Sequence, residues 1–332
     1  MNILPDIPLI DVCRGGTLAL FEAYPDRVAR LVEIARRRYG KTALRLGDRL
    51  SRRWLDRSDN PYFAELEAIA PRMETAGLYM LNLSYEWACT TAVCSDPRGA
   101  GTRLLRTLDW RLPGLGACTV VSRHEGRAGP WLNVTWPGFV GALTVLAPGR
   151  FAAAINQPPL RMSRFGPVPA PFVYDWIAAR YGVLRQKALP PAHLLRKVAE
   201  EARDYDEARR LLTREPICAP TFYTLAGVRP NEGCLLERLQ TRAFVHEAPV
   251  AAANHWLADS VPAGRPRTAT SRERHAMLTA AMAHAVELEW VQAPILNKDT
   301  RLAAAANAVT GQLVAQGFED GAPVTRQTSF TA

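Results

Sequence analysis

The sequence predicts an α+β fold in which helices cover largely antiparallel sheets. Three observations favour it. The N-terminal quarter has helical periodicity, short strands bounded by Gly or Pro follow it, and helices and strands then return in blocks. Strands joined by tight turns pair antiparallel, because parallel strands need a long crossover. Blocks of helices between blocks of strands would form layers on the sheets.

The N-terminal part is predicted to be helical. Apolar residues recur at near-helical spacing over residues 16–57, with a break at Pro25. Asn60 and Pro61 are predicted to begin the next helix, since asparagine caps helices and proline fits their first turn. The apolar face of that helix would be formed by Phe63, Leu66, Ile69 and Ala70.

Short strands are predicted after residue 80, because the segments are rich in β-branched residues and separated by turn residues. They are CTTAVCS, TRLLRTLDW, ACTVVSRHE and PWLNVTW. A further pair, GALTVLAPGRFAAAINQPP, would turn at Pro148 and Gly149.

Helices return in the second half, at APFVYDWIAARYG, PPAHLLRKVAEEA, DYDEARRLLTREP and TSRERHAMLTAAMAHAVEL. In the third of these, Asp204 can cap the helix and Glu207 stands three residues later, as in a capping box. Strands are predicted at APTFYTLAGV, EGCLLERL and RAFVHEAPVAAAN. The segment TRLAAAANAVTGQLVAQGF is predicted as a closing hairpin.

The net charge of +9 raises the question of an anionic partner. The densest basic stretch, RLGDRLSRRWLDR, is interleaved with acidic and apolar residues, which is typical of the solvated face of a helix. No recognition motif accompanies the charge, so we expect no nucleic-acid partner. A nucleic-acid or membrane-surface protein stays an alternative, and salt-sensitive binding to an anionic partner would support it.

The sequence predicts neither a secretory signal nor a metal site. Pro5, Asp6 and Asp11 interrupt the N-terminal apolar residues, and no run of about 20 apolar residues occurs. We therefore expect no integral membrane segment and a cytoplasmic location. None of the 6 cysteines forms a Cys-x-x-Cys pair or lies near histidines at ligand spacing, so no metal or cofactor is expected.

The strongest functional candidate is the segment from Cys89 to Asp109. Cys89 begins a predicted strand and Arg106 and Asp109 lie on the next, so a hairpin could bring both beside the thiol. The thiol needs a base, and no histidine is near. A cut between Ala88 and Cys89 would create an α-amine, whose pKa of about 8 suits this role. A buried, inert cysteine is the common alternative.

This stretch resembles the cysteine N-terminal-nucleophile amide hydrolases, the family of acid ceramidase, N-acylethanolamine acid amidase and choloylglycine hydrolase. There, Cys-Thr-Ser opens the catalytic chain and Arg-Asn-x-Asp follows on the next strand; here CTT and RTLD stand in those places. The resemblance runs in order over roughly residues 60–315 and is more specific than one motif. It includes NPYFAELEAIA, LYMLNLSYEWACTT, PGFVGALTVLAPGRFAAAINQ, DYDEARRLLTREPICAPTFYTLAGVRPNEGCLLERL and PILNKDTRLAAAANAVTGQL.

The resemblance implies a four-layer αββα fold, with residues 1–88 as a helical propiece or subunit and 89–332 as the catalytic domain. It implies cleavage before Cys89, which would act as nucleophile with its own α-amine as base. Arg106 and Asp109 would be polar neighbours, and the cut 1–88 segment would stay as a partner. Asn254, in AAANHW, matches the family's oxyanion donor, a group worth about 3 kcal/mol.

Three positions depart from the family pattern. Gln157 stands where the acid amidases carry glutamate, and because glutamine cannot titrate we expect an optimum nearer neutral pH. Thr107 replaces the asparagine between the arginine and the aspartate. His255 follows Asn254 where the family has tyrosine.

Three further residues could support the site. Asn156 matches an asparagine of some members and would help to hold the oxyanion. Arg272 resembles an arginine that bile-salt hydrolases place near the nucleophile, and Arg267 is the competing match. For Arg272 the alternative is an ordinary charge in the first turn of a helix.

These matches predict an amidase acting on linear amides, with a fatty N-acyl amide as the expected small-molecule substrate. Bile-salt and penicillin-like amides remain alternatives, as do acyl transfer to an amine and an uncut, non-catalytic binding protein. Aromatic residues could line an acyl pocket, although such residues more often belong to the core. They are Trp131, Trp136, Phe139, Phe165, Phe172 and Trp176.

Overall fold

The computed structural model describes residues 3–83, 86–160, 181–183 and 185–331. After a short strand, β1 (Leu9–Asp11), which was not predicted, the N-terminal part is helical. Its helices are α1 (Gly16–Ala23), α2 (Pro25–Tyr39), α3 (Lys41–Arg57), α4 (Phe63–Ile69) and α5 (Leu78–Asn82). The break at Pro25 is confirmed, and a second break follows α2 at Gly40, whose φ of 78° favours glycine. The arginines of α3 lie on its exposed face, as predicted.

The start of α4 differs from the prediction, because Asn60 does not cap it. Asn60 Oδ1 instead accepts a hydrogen bond from the Tyr62 N–H at 3.0 Å, and Asn60 Nδ2 lies 2.9 Å from His193 Nδ1. Asparagine readily forms such a local turn with the backbone two residues on. The buried histidine supplies its second partner, so the helix begins later than predicted.

Two sheets form the centre of the fold. The first contains β1, β4 (Val120–Gly126), β5 (Gly129–Thr135), β6 (Thr144–Ala147), β7 (Phe151–Asn156), β8 (Thr221–Ala226), β9 (Gly233–Arg238) and β10 (Ala243–Glu247). They lie side by side in that order. Strand β1 pairs parallel with β4, and the other pairs are antiparallel.

The second sheet is antiparallel. Its strands are β2 (Ala88–Ser95), β3 (Thr102–Asp109), β11 (Val250–Ala252), β12 (Thr300–Asn307), β13 (Gln312–Glu319), β14 (Ala322–Pro323) and β15 (Thr328–Thr331). The order is β11–β2–β3–β12–β13–β14, and β15 also pairs with β13. Thus β10 and β11, predicted as one continuous strand segment, belong to different sheets.

Helices cover the outer faces of the two stacked sheets. Strands β2 and β3 contact β7 and β8 across the interior. Helices α6 (Pro191–Glu201) and α7 (Tyr205–Arg214) pack on the first sheet, and α8 (Ser271–Ala281) packs on the second. The predicted four-layer α+β architecture is confirmed. The helix predicted at residues 170–182 falls almost entirely outside the described residues, and no described helix is long and apolar enough to cross a membrane.

An ionic cluster around a buried arginine attaches the N-terminal helices to the sandwich. Arg196 of α6 is 5 % exposed and donates to Glu65 Oε1 at 2.6 Å and to Glu200 Oε1 at 2.8 Å. Its guanidinium lies 4.1 Å from the ring centre of Tyr62, whose hydroxyl donates to Glu200. A buried arginine with several charged partners is costly to remove, so this cluster fixes α4 on α6.

Candidate active site

The β2–β3 hairpin brings Arg106 to Cys89, as the sequence predicted. Cys89 is opposite Leu108 and Arg106 is opposite Thr91. Since side chains two apart on a strand share a face, Cys89 and Arg106 both point between the sheets. Arg106 Nη1 donates to Cys89 Sγ at 3.3 Å. Both residues are fully buried.

Burial dominates the chemistry of the thiol in the uncut chain. Desolvation raises the pKa of Cys89 to about 11, although the charge of Arg106 opposes the shift. The thiol lies 3.7 Å from the carbonyl oxygen of Ile155, the penultimate residue of β7. The nucleophile candidate is therefore almost entirely a neutral thiol at neutral pH, and without a base it reacts slowly.

Asp109 lies on the other face of the sheet from the thiol. It is opposite Ala88, so the strand alternation turns its side chain toward α8. Its Oδ1 accepts from Thr300 Oγ1 at 2.9 Å and its Oδ2 from Asn297 Nδ2 at 3.2 Å. Burial raises the pKa of Asp109, and the charge of Arg274 opposes this rise. The prediction that Asp109 lies directly beside the thiol is therefore wrong, because the carboxylate is connected to Cys89 only through an intermediary residue.

That intermediary is Arg274, a fully buried residue of α8 that sequence reasoning missed. Its guanidinium donates to the Cys89 carbonyl oxygen at 2.8 Å and to Asn254 Oδ1 at 2.8 Å. It also lies 3.5 Å from Asp109 Oδ2. Arg274 thus connects the aspartate, the cysteine backbone and the asparagine.

Arg272 does not take the place expected of it, because it is exposed on α8. The buried residues of this helix are Ser271, Arg274 and Leu278, which follow helical spacing. That periodicity was available in the sequence and would have placed Arg274, not Arg272, on the inner face.

Asn254 holds the backbone of Cys89. Strand β11 pairs with β2 and ends two residues before Asn254. Asn254 Oδ1 accepts from the Cys89 N–H at 3.1 Å, while Asn254 Nδ2 donates to the Gln157 carbonyl at 2.7 Å. The Asn254 N–H donates to Ser271 Oγ at 2.9 Å. An amide nitrogen carries two hydrogens, so within the described part of the chain one N–H of Asn254 remains for a further acceptor.

The end of β7 supplies the opposite wall. Asn156 Nδ2 donates to Thr91 Oγ1 at 3.0 Å, so this side chain is held at a residue two positions along β2 from Cys89. Gln157 is 2 % exposed, and its Oε1 accepts from Arg267 Nη2 at 3.1 Å. Arg267, the competing match, therefore reaches the site through Gln157, and its charge lowers the pKa of Cys89.

The other two departures from the family pattern lie nearby. Thr107 is buried on the same face as Asp109. His255 Nδ1 lies 2.9 Å from Ser271 Oγ, and burial lowers the pKa of His255 to about 4. The histidine is thus neutral near pH 7 and completes the hydrogen bonding of the serine that positions Asn254.

An apolar cleft lies between α2, α5 and the segments that follow β3 and β5. Trp110, Trp136 and Phe139 line it, and Trp110 packs 5.2 Å from Trp87, two residues before the nucleophile. Trp131 instead lies in the core, stacked 4.2 Å from His124. The other three predicted aromatic residues, Phe165, Phe172 and Trp176, lie outside the described residues.

Among the described residues, no group of three or more histidine, cysteine, aspartate or glutamate side chains is arranged to hold a metal ion. All 6 cysteines are free thiols.

The curated proteins similar to this chain include acid ceramidases. Acid ceramidase of Bos taurus is 32% identical over 199 residues, which are 54% of this chain and 47% of the relative. Acid ceramidase of Homo sapiens is 33% identical over 104 residues, 31% of this chain and 24% of the relative. The chain thus spans about half or less of the length of these relatives. No protein-family model matches it.

Solved structures give more remote likenesses. A Caenorhabditis elegans N-acylethanolamine-hydrolyzing acid amidase ortholog is 16% identical with a TM-score of 0.49, covering 65% of this chain and 92% of its own. A conjugated bile acid hydrolase of Clostridium perfringens is 8% identical with a TM-score of 0.44, covering 73% and 92%. The chain is similar to the acid ceramidases in sequence, which confirms the resemblance that its motifs indicated.

Proposed function

We propose that this chain is an N-terminal-nucleophile cysteine amidase of linear N-acyl amides, activated by its own cleavage between Ala88 and Cys89. One observation carries the proposal: the thiol and the backbone nitrogen of the same residue are both held by polar side chains. Arg106 donates to the Cys89 thiol and Asn254 accepts from the Cys89 N–H. A structural cysteine needs neither contact.

Self-cleavage comes first in the proposed sequence. The Cys89 thiol adds to the Ala88 carbonyl carbon, the C–N bond breaks, and the released nitrogen takes the proton that the sulfur lost. The product is a thioester between Ala88 and the cysteine sulfur. Water then hydrolyses it, which leaves a carboxylate on Ala88 and a free α-amine and thiol on Cys89.

The new amine supplies the base that the uncut chain lacks. With a thiol pKa of about 11, only about one Cys89 in ten thousand is ionised at pH 7. An α-amine has an ordinary pKa of about 8 and would sit on the nitrogen that Asn254 Oδ1 already accepts from. Asn254 therefore orients the base, and Arg106 favours the thiolate.

Amide hydrolysis then repeats the same chemistry on a substrate. The thiolate attacks the amide carbon, and the remaining N–H of Asn254 and backbone N–H groups hold the negative oxygen. The α-ammonium of Cys89 returns its proton to the leaving amine, and water releases the acid from the thioester. Arg274 holds Asn254 and the backbone of Cys89 in their relative positions through its two hydrogen bonds.

The apolar cleft supports a fatty acyl group. Its walls are almost entirely apolar, and Trp110 on its wall packs against Trp87, two residues before Cys89. Its volume is about 80 Å³, and an apolar cavity of about 150 Å³ binds a molecule the size of benzene. We therefore expect the cleft to widen when a long acyl chain enters.

The intact mass of the purified protein under denaturing conditions tests self-cleavage. We expect two masses, for residues 1–88 and 89–332, in the wild type, and one full-length mass in Cys89→Ala. Cys94→Ala is the matched control, because Cys94 is a buried cysteine on the same strand that faces α8. It should cut like the wild type. A single full-length mass for the wild type at every pH from about 4.5 to 8 would contradict the proposal.

A further inference from the structure

A buried carboxylate on β9 holds the chain just beyond Asn254. Glu237 is fully buried. Its Oε1 accepts from the Leu257 N–H at 2.6 Å and its Oε2 from the Ala258 N–H at 2.9 Å, and His246 Nε2 lies 3.0 Å from the same Oε2. Two neighbouring backbone donors, one for each oxygen, suit a carboxylate because it only accepts. Glu237 thus fixes the backbone a few residues beyond the asparagine.

The inner face of the first sheet presents this carboxylate to the second sheet. Glu237 is opposite Phe222 on β8, and Phe222 is opposite Asn156 on β7, so the three side chains share one face. Because Asn156 donates to Thr91 of β2, this is the face between the sheets. On it the ring centres of Phe222 and Trp256 are 4.8 Å apart, edge to face. The first sheet therefore holds the segment that follows β11 by a carboxylate and by an aromatic contact.

The backbone at Asn254 lies beyond the end of its own strand. Strand β11 is at the edge of the second sheet, and its pairing with β2 ends at Ala252. Arg274 and Gln157 contact the Asn254 side chain, and Ser271 accepts from its N–H. These bonds orient the amide only while the backbone stays in place, and a catalytic group needs such supporting contacts to keep its geometry. The carboxylate of β9 fixes that backbone from the other end of the segment.

We propose that Glu237 is a positioning residue for Asn254, which it holds against Cys89 through the backbone of residues 254–258, both in self-cleavage and in amide hydrolysis. This inference rests on the proposed amidase function. A glutamine at this position would keep the size of the side chain but offer one accepting oxygen, and its N–H₂ group would face a backbone N–H. The segment would then have to shift to separate the two donors, and Asn254 would move with it.

Glu232 offers the matched control, because it holds two consecutive backbone N–H groups at a distance from the site. Its Oε2 accepts from the Val228 N–H at 2.9 Å and from the Arg229 N–H at 3.0 Å, in the turn that joins β8 to β9. Glu237→Gln and Glu232→Gln therefore make the same chemical change at two such carboxylates. Only the segment held by Glu237 carries a group of the proposed chemistry.

The test compares rates with stability. Self-cleavage is followed during cell-free synthesis, and kcat and KM for N-dodecanoylethanolamine are measured on the cut protein. We expect Glu237→Gln to slow self-cleavage and to lower kcat, each by about 10- to 100-fold, since a misplacement of about 1 Å can cost about 100-fold in rate. KM should stay within about threefold of the wild type, because the lost interaction is one made in the transition state. Glu232→Gln should keep both rates within about threefold.

Urea unfolding of both variants in the Cys89→Ala background reports the stability that each one loses. If Glu237→Gln shows no cooperative unfolding transition, Glu237→Asp takes its place, since aspartate keeps the charge on a shorter side chain, and the same changes in rate are expected. Equal rates in the Glu237 and Glu232 variants, or a rise in KM with kcat unchanged, would overturn the positioning role and leave the amidase intact.

The wild type separates the two proposals. A wild type that cuts itself but leaves this amide intact is judged on the self-cleavage rates alone, and an undiminished rate in Glu237→Gln would then overturn the positioning role. A wild type that stays at full length would overturn the amidase proposal and this one with it.

Discussion

Replacing Arg274 with methionine tests whether this buried arginine holds the site together. The change removes the donor at 2.8 Å from the Cys89 carbonyl and the charge at 3.5 Å from Asp109. Breaking a buried charge pair from one side costs about 3–5 kcal/mol, because the other charge stays desolvated. We expect the free energy of unfolding to fall by about that amount at pH 8.

The loss should depend on pH through Asp109. Burial already raises the pKa of this carboxyl and Arg274 opposes the rise, so the variant raises it further. A carboxyl whose folded pKa exceeds its unfolded pKa binds protons more tightly in the folded state. Its contribution to stability is therefore present at low pH and is lost as pH rises through the folded pKa. The deficit of Arg274→Met should be smaller at pH 5 than at pH 8.

The assay is urea unfolding followed by tryptophan fluorescence, with Cys89→Ala as the background so that every chain stays uncut. Arg272→Met is the control, since this arginine is exposed on the same helix. Its unfolding midpoint should match that of the background. If Arg274→Met unfolds at the same urea concentration as Arg272→Met at both pH values, the role assigned to Arg274 is wrong.

Two other predictions follow from the same structure. The first concerns molecules that retain the Ala88–Cys89 bond, which are identified by their intact tryptic peptide. In these, iodoacetamide at pH 8 should modify the exposed Cys13 within minutes and spare the buried Cys89, whose thiol pKa is about 11. Rapid modification of Cys89 would contradict its burial. The second is that Arg196→Met should lower the free energy of unfolding by about 3 kcal/mol and release the 1–88 fragment during gel filtration of the cut protein. Arg52→Gln is the control, because Arg52 forms an exposed pair with Glu67, and it should have neither effect.

The contacts that the sequence predicted are those that local geometry determines. A strand, a turn and a strand place Cys89 and Arg106 on one face once the register is known, and the observed register does so. The same alternation turns Asp109 away, which the sequence shows only when residues are counted along the strand. The burial of Arg274 follows from helical spacing with Leu278, a pattern masked by the neighbouring Arg272.

Other contacts depend on tertiary structure that no local pattern encodes. Asn60 carries a strong capping signal, yet its partner is His193 of a distant helix. The RAFVHEAPVAAAN segment has one hydrophobic pattern but supplies strands to both sheets, and this switch is what brings Asn254 to Cys89. Gln157 meets Asn254 through its backbone carbonyl, which any residue would offer.

The partners of Cys89 also set an order of events during synthesis. Asn254 lies 165 residues beyond Cys89 in the chain, and Arg274 lies 185 beyond it. A ribosome-bound chain that has just released the β2–β3 hairpin therefore carries the thiol and its arginine but neither of these two groups. If the proposed cut requires them, it has to wait until α8 has emerged and docked. Cleavage would then occur only in molecules that have finished folding, and chains truncated before Ser271 would remain uncut.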